Sequence, residues 1–321
     1  MISYIVRRIL FAFPVLIGIS LVSFVIIKLA PGDPMGMFFD PNINPNDLEN
    51  FRLKYGLDDP FFQQYVKWLF NMLQGDFGYS ITRTGTPVIE LIMSRLPNTF
   101  LLMGVSFLLA LLISIPLGVL SAKRPYSRLD YTVTSASFMG LATPSFWLGL
   151  MLIMVFSVQL DWFPTGGVAT INEPFSIWDR IHHLILPAFV LATADMAGLT
   201  RYTRSSMLDV LKQDYMRTAR SKGLSENQVM YKHGLRNGLL PIITIVGLTV
   251  PGLFGGAVIT ENIFTWPGLG RLFVEASFER DYPVVMGITV IASILVVLGN
   301  LIADILYAIV DPRIEYSKER G

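Results

Sequence analysis

Few residues in this chain are equipped for chemistry. It contains no cysteine, which removes thiolate metal sites, iron–sulfur clusters, disulfides and a sulfur nucleophile. Of its three histidines, His182 and His183 are adjacent; they project to different sides of a helix and lack the H-E-x-x-H spacing that sets two imidazoles on one face. His233 has no catalytic partner within reach in the sequence. No G-x-x-x-x-G-K-[ST] phosphate loop occurs anywhere, so ATP hydrolysis has no seat on this chain. Neither a membrane-embedded hydrolase nor a bound metal or cofactor is supported. What stands out instead is Asp195 within an apolar stretch, because a charge in hydrocarbon is costly and marks a functional position by default; Glu261 and Asp304 lie nearer the ends of theirs.

The elements that position them are membrane spans. The chain has 321 residues, of which 52% are hydrophobic and 15% charged, where a soluble chain carries about a quarter as charges. A crossing helix needs about 20 apolar residues, and such stretches fall near 9–29, 99–121, 132–158, 184–200, 239–260 and 284–310. The fold class read from this pattern is an all-α polytopic membrane protein with about six spans. The first apolar run is too long for a secretory signal and meets Pro31 where a small-residue cleavage site is wanted, so it is read as a retained span. A net charge of +1 gives no support to nucleic-acid binding.

Cationic loops stay in the cytoplasm. Most of the 25 lysines and arginines fall on one side if both termini are inside: Arg7 and Arg8, then Lys123, Arg124 and Arg128, then the loop after the fourth span, then Arg313, Lys318 and Arg320. The chain thus divides into an N-terminal span (1–30), an extracytoplasmic segment (31–94), a five-span core (95–310) holding a cytoplasmic loop at 201–238, and a tail (311–321). In the outer segment Asp59 is placed to cap, Pro60 suits a first helical position, and Phe61, Tyr65, Leu69 and Leu73 recur at i+4 before Gly75, which predicts an amphipathic helix whose stripe serves packing. Lys28 is placed to snorkel. Pro144 interrupts span three and Pro251-Gly252 interrupts span five. Such breaks survive in a bilayer only where protein or a watery cavity receives the freed backbone groups; packing kinks and the border of a translocation path are both open readings.

The loop between spans four and five is strongly helical. Leu208, Leu211, Tyr215 and Ala219 fall on one face, and Gly223 is placed to end that helix in the left-handed conformation. Ser225-Glu226-Asn227-Gln228 is an S-x-x-Q capping arrangement and opens a second helix. Two ordered helices around a tight turn, studded with cations, favour docking to a cytosolic protein over simple attraction to anionic lipid.

The sequence Asp214-Tyr215-Met216-Arg217-Thr218-Ala219-Arg220-Ser221-Lys222-Gly223-Leu224, followed by His233-Gly234-Leu235-Arg236-Asn237-Gly238 and Leu240-Pro241, resembles the signature loop of ABC importer permeases in its oligopeptide/dipeptide form. Where the wider class reads Glu-Ala-Ala ahead of the glycine, this chain has Arg217, Thr218 and Ala219. The resemblance runs through Pro31-Gly32-Asp33-Pro34, Gly75-Asp76-Phe77-Gly78, Arg95-Leu96-Pro97-Asn98-Thr99 and Thr203-Arg204-Ser205-Ser206-Met207-Leu208. It continues in Phe264-Thr265-Trp266-Pro267-Gly268-Leu269-Gly270, Arg280-Asp281-Tyr282-Pro283-Val284 and Asp311-Pro312-Arg313-Ile314. Within that family the chain is most similar to the first of the two permease subunits of oligopeptide importers.

The resemblance implies the type I ABC importer permease fold in a bacterial cell membrane. It implies as partners a homologous second permease, two cytosolic ABC ATPases that bind the ATP and Mg, an extracellular peptide-binding protein, and membrane lipid. Residues 214–224 would then form the coupling helix that seats in an ATPase groove. Pro144, Asp195, Pro251, Gly252 and Glu261 are the candidates for the substrate path; for Asp195 an ion pair with Arg201 or Arg204 is an equal alternative, for Glu261 a satisfied interfacial carboxylate, and Asp304 is read as structural. Dipeptide, nickel-chelate and glutathione permeases share the pattern, although three histidines and no cysteine disfavour a free nickel ion. An ion-coupled secondary transporter is the rival of another class, and no convincing internal repeat supports it; a scaffold subunit without transport is set aside by the resemblance alone.

Overall fold

The computed structural model describes residues 2–29, 59–83, 85–249, 252 and 257–310. The Pro31-Gly32-Asp33-Pro34 motif, Pro251 and the tail cations lie outside the described residues. In chain order the helices are α1 (Ile2–Leu29), α2 (Phe61–Leu73), α3 (Val88–Lys123), α4 (Arg128–Ala142), α5 (Ser145–Leu152), α6 (Ile177–Leu211), α7 (Asp214–Ser221), α8 (Leu235–Gly238), α9 (Leu240–Thr249), α10 (Val258–Ile263), α11 (Leu269–Phe278) and α12 (Tyr282–Val310). Two π-helical stretches, Ile153–Gln159 and Gln228–Gly234, adjoin α5 and α8.

The six apolar stretches are helical where they are described. Val88–Lys123, Ile177–Leu211 and Tyr282–Ala303 are each long and apolar enough to cross a membrane, and α1 carries the apolar segment Leu10–Ile26. The third stretch is not one helix. Arg128–Ala142 and Ser145–Gln159 meet at 105°, because Pro144 holds an extended backbone (ψ 132°) and offers no N–H, and Thr143 before it is extended as well (ψ 121°). The fourth stretch is longer than its apolar run predicts: α6 passes through Pro187 without ending and continues to Leu211. Of the fifth, α9 and α10 are described.

Close contacts divide the chain into two compact units, residues 1–99 with 267–297 and residues 100–266 with 298–321. In the first, Tyr65 of α2 is buried against Phe24 and Met286, its hydroxyl 2.9 Å from Ser20 Oγ, while the Phe24 ring meets Phe61 edge-on at 5.3 Å. The stripe therefore packs at Tyr65 and Leu69, while Phe61 keeps an exposed edge and Leu73 is exposed. Asp59 does not cap α2; the helix starts one residue later than Pro60 predicts, and the Asp59 carboxylate instead accepts from Lys67 Nζ at 2.6 Å. Fully buried Asp281 accepts from Ser80 Oγ, Thr82 N (3.2 Å) and Thr82 Oγ1 (2.9 Å), which fixes the segment after Tyr79 to the start of α12.

The second unit is organised around α6. Ser176 opens this helix by accepting from Asp179 N, and one face is buried along its length at Leu184, Ala188, Ala192, Leu199, Thr203 and Met207. Asp130, in the first turn of α4, is almost fully buried. It takes a bidentate pair from Arg204 (2.6 and 2.7 Å), a hydrogen bond from Tyr126 N (2.8 Å) and one from Ser121 Oγ, and so ties α3, α4 and α6 together. Removing one partner of such a pair strands the other charge. Asp130→Ala is therefore expected to destabilise the protein by on the order of 3 kcal/mol, with the Asp130→Ala, Arg204→Met double variant recovering most of the loss; thermal unfolding of the purified protein checks this, and an unshifted transition in the single variant would contradict it.

Candidate functional site

The loop after α6 folds as two short helices around a glycine. Helix α6 stops at Leu211, and extended Gln213 (ψ 150°) sets the start of α7. This break corrects the single helix predicted up to Gly223, and it re-phases the faces. Met216 and Ala219 are the buried residues of α7, whereas Tyr215 is exposed and accepts from Asn237 Nδ2 at 3.1 Å. At the far end Lys222 N donates to Thr218 O (3.1 Å) and Gly223 N to Arg220 O (2.9 Å). Gly223 has φ +78°, the left-handed turn that its position predicts. Ser225 and Gln228 satisfy each other's backbone N–H groups at 3.1 and 3.4 Å, the capping box read from the sequence, and Arg220 Nε bonds Glu226 Oε1 across the turn at 2.9 Å. The second helix then starts as the π-helical stretch Gln228–Gly234 and tightens into α8.

This hairpin is seated on α6 by two methionines. Met216 and Met207 are fully buried; Met216 packs with Ala219 and Val229 under Val210, Leu211 and Leu224, and Met207 with Val119, Ala122 and Met230. Each burial is worth about 1.5–3 kcal/mol. The second helix comes this close because it has glycines at the contact. A Cβ on Gly234 would lie 3.3 Å from Met216 Cε and 3.4 Å from Met207 Cε, and one on Gly238 would overlap Met207 Sδ. Ser206 Oγ closes the seat by donating to the Gly238 carbonyl at 2.7 Å. None of these four residues was singled out for such a role by sequence reasoning; the only signal was the pair of glycines four apart in a helical stretch.

The opposite face carries the remaining residues of the predicted coupling element. Asp214, Arg217, Thr218, Arg220, Ser221, Lys222 and Gly223 are exposed and Leu224 is half-buried. Arg217 and Asp214 approach at 3.7 Å. The arrangement can do no bond chemistry; it is a polar surface held by an apolar seat.

The candidate path residues that are described differ in exposure. Pro144 is exposed at the α4–α5 break, Gly252 is exposed, and Asp195 is exposed midway along α6. Arg204 is taken by Asp130 and Arg201 lies over the Tyr202 ring at 5.7 Å, so Asp195 makes no ion pair with either: positions six and nine residues along a helix face away from it. Glu261 is fully buried, its N–H bonded to Ala257 O and its carbonyl accepting from Trp266 N, both at 2.8 Å, which closes it to an extended ligand in this conformation. His183 donates from Nδ1 to the Gly166 carbonyl at 2.9 Å, and His182 meets the Phe163 ring at 5.1 Å. Among the described residues no group of three His, Asp or Glu side chains is placed to hold a metal ion.

Residues 114–316 match the model of the family described as binding-protein-dependent transport system inner membrane component, and residues 1–103 match the model of its N-terminal part. The chain belongs to that family. It is 69% identical to the oligopeptide transport system permease protein AppB of Bacillus subtilis over 316 residues, covering 98% of this chain and all of AppB. It is 38% identical to the dipeptide transport system permease protein DppB of Escherichia coli K12 over 340 residues, covering 99% of this chain and all of DppB. Among solved structures it resembles the inward-facing MetNI methionine ABC transporter with a TM-score of 0.52 and 18% identity, covering 69% of this chain and 96% of that one. The fold is thus that of a type I ABC importer permease, and the chain is a multi-pass inner-membrane component without an ATPase site of its own.

The seat makes a prediction independent of transport. Gly238→Val overpacks Met207 and is expected to cost about 1–3 kcal/mol locally, read as faster proteolysis within 212–238 of the otherwise folded protein. Adding Met207→Ala should restore part of the protection; unchanged cleavage in the single variant would contradict the close approach.

Proposed function

We propose that this chain is a permease subunit of an ATP-driven importer and forms, with a homologous second permease, the path for oligopeptides or dipeptides delivered by an extracellular binding protein. The observation that carries the reading is the end-to-end match to AppB at 69% identity, supported by the match to DppB. Both termini and the α7 hairpin lie in the cytoplasm, an orientation supported by the cations of that hairpin, Lys212, Arg217, Arg220, Lys222, Lys232 and Arg236. The energy comes from two cytosolic ATPases that hold ATP and Mg; this chain binds neither.

In this reading Asp214 to Leu224 seat in a groove of one ATPase. Closure of the ATPases displaces α7, and the methionine seat passes the displacement to α6, a helix unbroken from Ile177 to Leu211. The path is bordered by the breaks at Pro144 and Pro251-Gly252. Asp195 adds a charge to its wall, since an exposed carboxylate on a spanning helix is excluded from lipid by its cost. Glu261 enters the path only in a conformation that uncovers it.

Gly223 is the test position. Nothing lies within 4 Å of an added Cβ, so a substitution there strains only the left-handed backbone, by about 1 kcal/mol, and leaves insertion intact. In proteoliposomes of the whole complex, wild-type uptake should follow ATP and ignore ion gradients. Gly223→Asp should lower uptake about tenfold relative to ATP hydrolysed, the scale of one coupling free energy. Peptide uptake driven by an ion gradient alone would sink the reading, and normal uptake and peptide-stimulated hydrolysis in the variant would sink the lever. In the same assay Asp195→Asn should slow uptake without lowering hydrolysis; unchanged uptake would remove Asp195 from the path.

A further inference from the structure

Between α4 and α6 lies a cavity of about 230 Å³, lined by Val133, Ser137, Phe138, Leu141, Arg201 and Arg204 among others. Its polar groups are mostly spent. Arg204 is held by Asp130, and Ser137 Oγ donates to the Val133 carbonyl at 2.8 Å. Arg201 is different: it is exposed, its guanidinium lies 5.7 Å from the centre of the Tyr202 ring, and among the described residues it has no carboxylate within ion-pair distance. Height along the helices orders the site. Arg201 sits one turn from the Asp130–Arg204 pair on its apolar side, and Phe138 and Leu141 lie roughly 12 and 16 Å beyond Asp130 at 1.5 Å per residue, deeper in the apolar stretch. A cation at one end and an apolar wall running on into the hydrocarbon is the outline of an amphiphile with an anionic head.

We propose that this cavity is a binding site for an anionic phospholipid of the leaflet beside the α7 hairpin, its phosphate on the Arg201 guanidinium and an acyl chain along Phe138 and Leu141. A phosphate takes guanidinium N–H groups in a charge-assisted pair that a zwitterionic head with its own ammonium satisfies less well, and basic pockets between spans hold such head groups. Free phosphate shares the head chemistry but leaves the apolar wall uncovered, so lipid is the occupant. Its place is structural as well as electrostatic: it fills the side of the α4–α6 contact that Asp130 and Arg204 close at the end.

The test uses the purified importer complex, delipidated in detergent and then equilibrated with phosphatidylglycerol or phosphatidylcholine, with bound lipid quantified by mass spectrometry. Wild type should retain phosphatidylglycerol preferentially; Arg201→Gln should hold it about tenfold less well, and Arg201→Lys should fall between them. Phe138→Trp, which narrows the cavity and leaves every charge in place, should also lose the lipid. Neither Arg201→Gln nor Phe138→Trp touches the Asp130–Arg204 pair, so both should unfold at the wild-type temperature. Equal retention by Arg201→Gln, displacement of the lipid by inorganic phosphate, or a wild-type complex that retains no phosphatidylglycerol because a protein partner covers the cavity would each overturn the proposal. The outcome does not depend on which solute the importer carries.

Discussion

Two sulfur-bearing side chains against two missing Cβ atoms hold the α7 hairpin of this permease. Met207 comes from α6, Met216 from α7, and both fill space left open by Gly234 and Gly238. An interior at native density gives such a contact little slack, since a single added methyl must displace something. The hairpin is thereby fixed to the long helix without any strong polar tie except Ser206 to the Gly238 carbonyl. Methionine suits the task because its unbranched, polarizable chain fills irregular gaps.

From that seat the remaining features follow in order. The apolar seat uses up Met216, Ala219 and Val229, which leaves the charged and hydroxyl side chains of α7 turned outward as an ordered surface. Gly223 and the Ser225–Gln228 cap decide where that surface ends. Behind it, α6 runs without interruption into the apolar region, and the Asp130–Arg204 pair fastens α6 to the starts of α3's terminal turn and α4. A displacement applied to α7 therefore meets a stiff element rather than a slack loop.

What was legible in the sequence is what local chemistry decides. A glycine after a helical run, a serine and a glutamine three apart, and a proline in an apolar stretch each act on their own backbone, and Gly223, Ser225–Gln228 and the break at Pro144 appear where they were read. Long-range choices were not legible. Asp130 and Arg204 are 74 positions apart, and nothing in either segment names the other; proximity in sequence instead pointed Asp195 at arginines that the helix turns away from it. The break at Lys212–Gln213 went unseen because both residues tolerate a helix, and once it re-phased α7, Met216 took the buried place predicted for Tyr215. Full burial of Glu261 was likewise not legible, since its place at the outer end of an apolar stretch left a path residue and a satisfied interfacial carboxylate both open.

The central claim is that the hairpin and α6 move as one body. The chain has no native cysteine, so Ser205→Cys on α6 with Thr218→Cys on α7, both at exposed positions, supplies two unique spin-label sites in a complex whose partner cysteines are replaced. Pulsed electron–electron resonance should give one narrow distance between α6 and α7 that is the same without nucleotide and with ATP trapped. A broad distribution, or a distance that changes with nucleotide, would contradict the account.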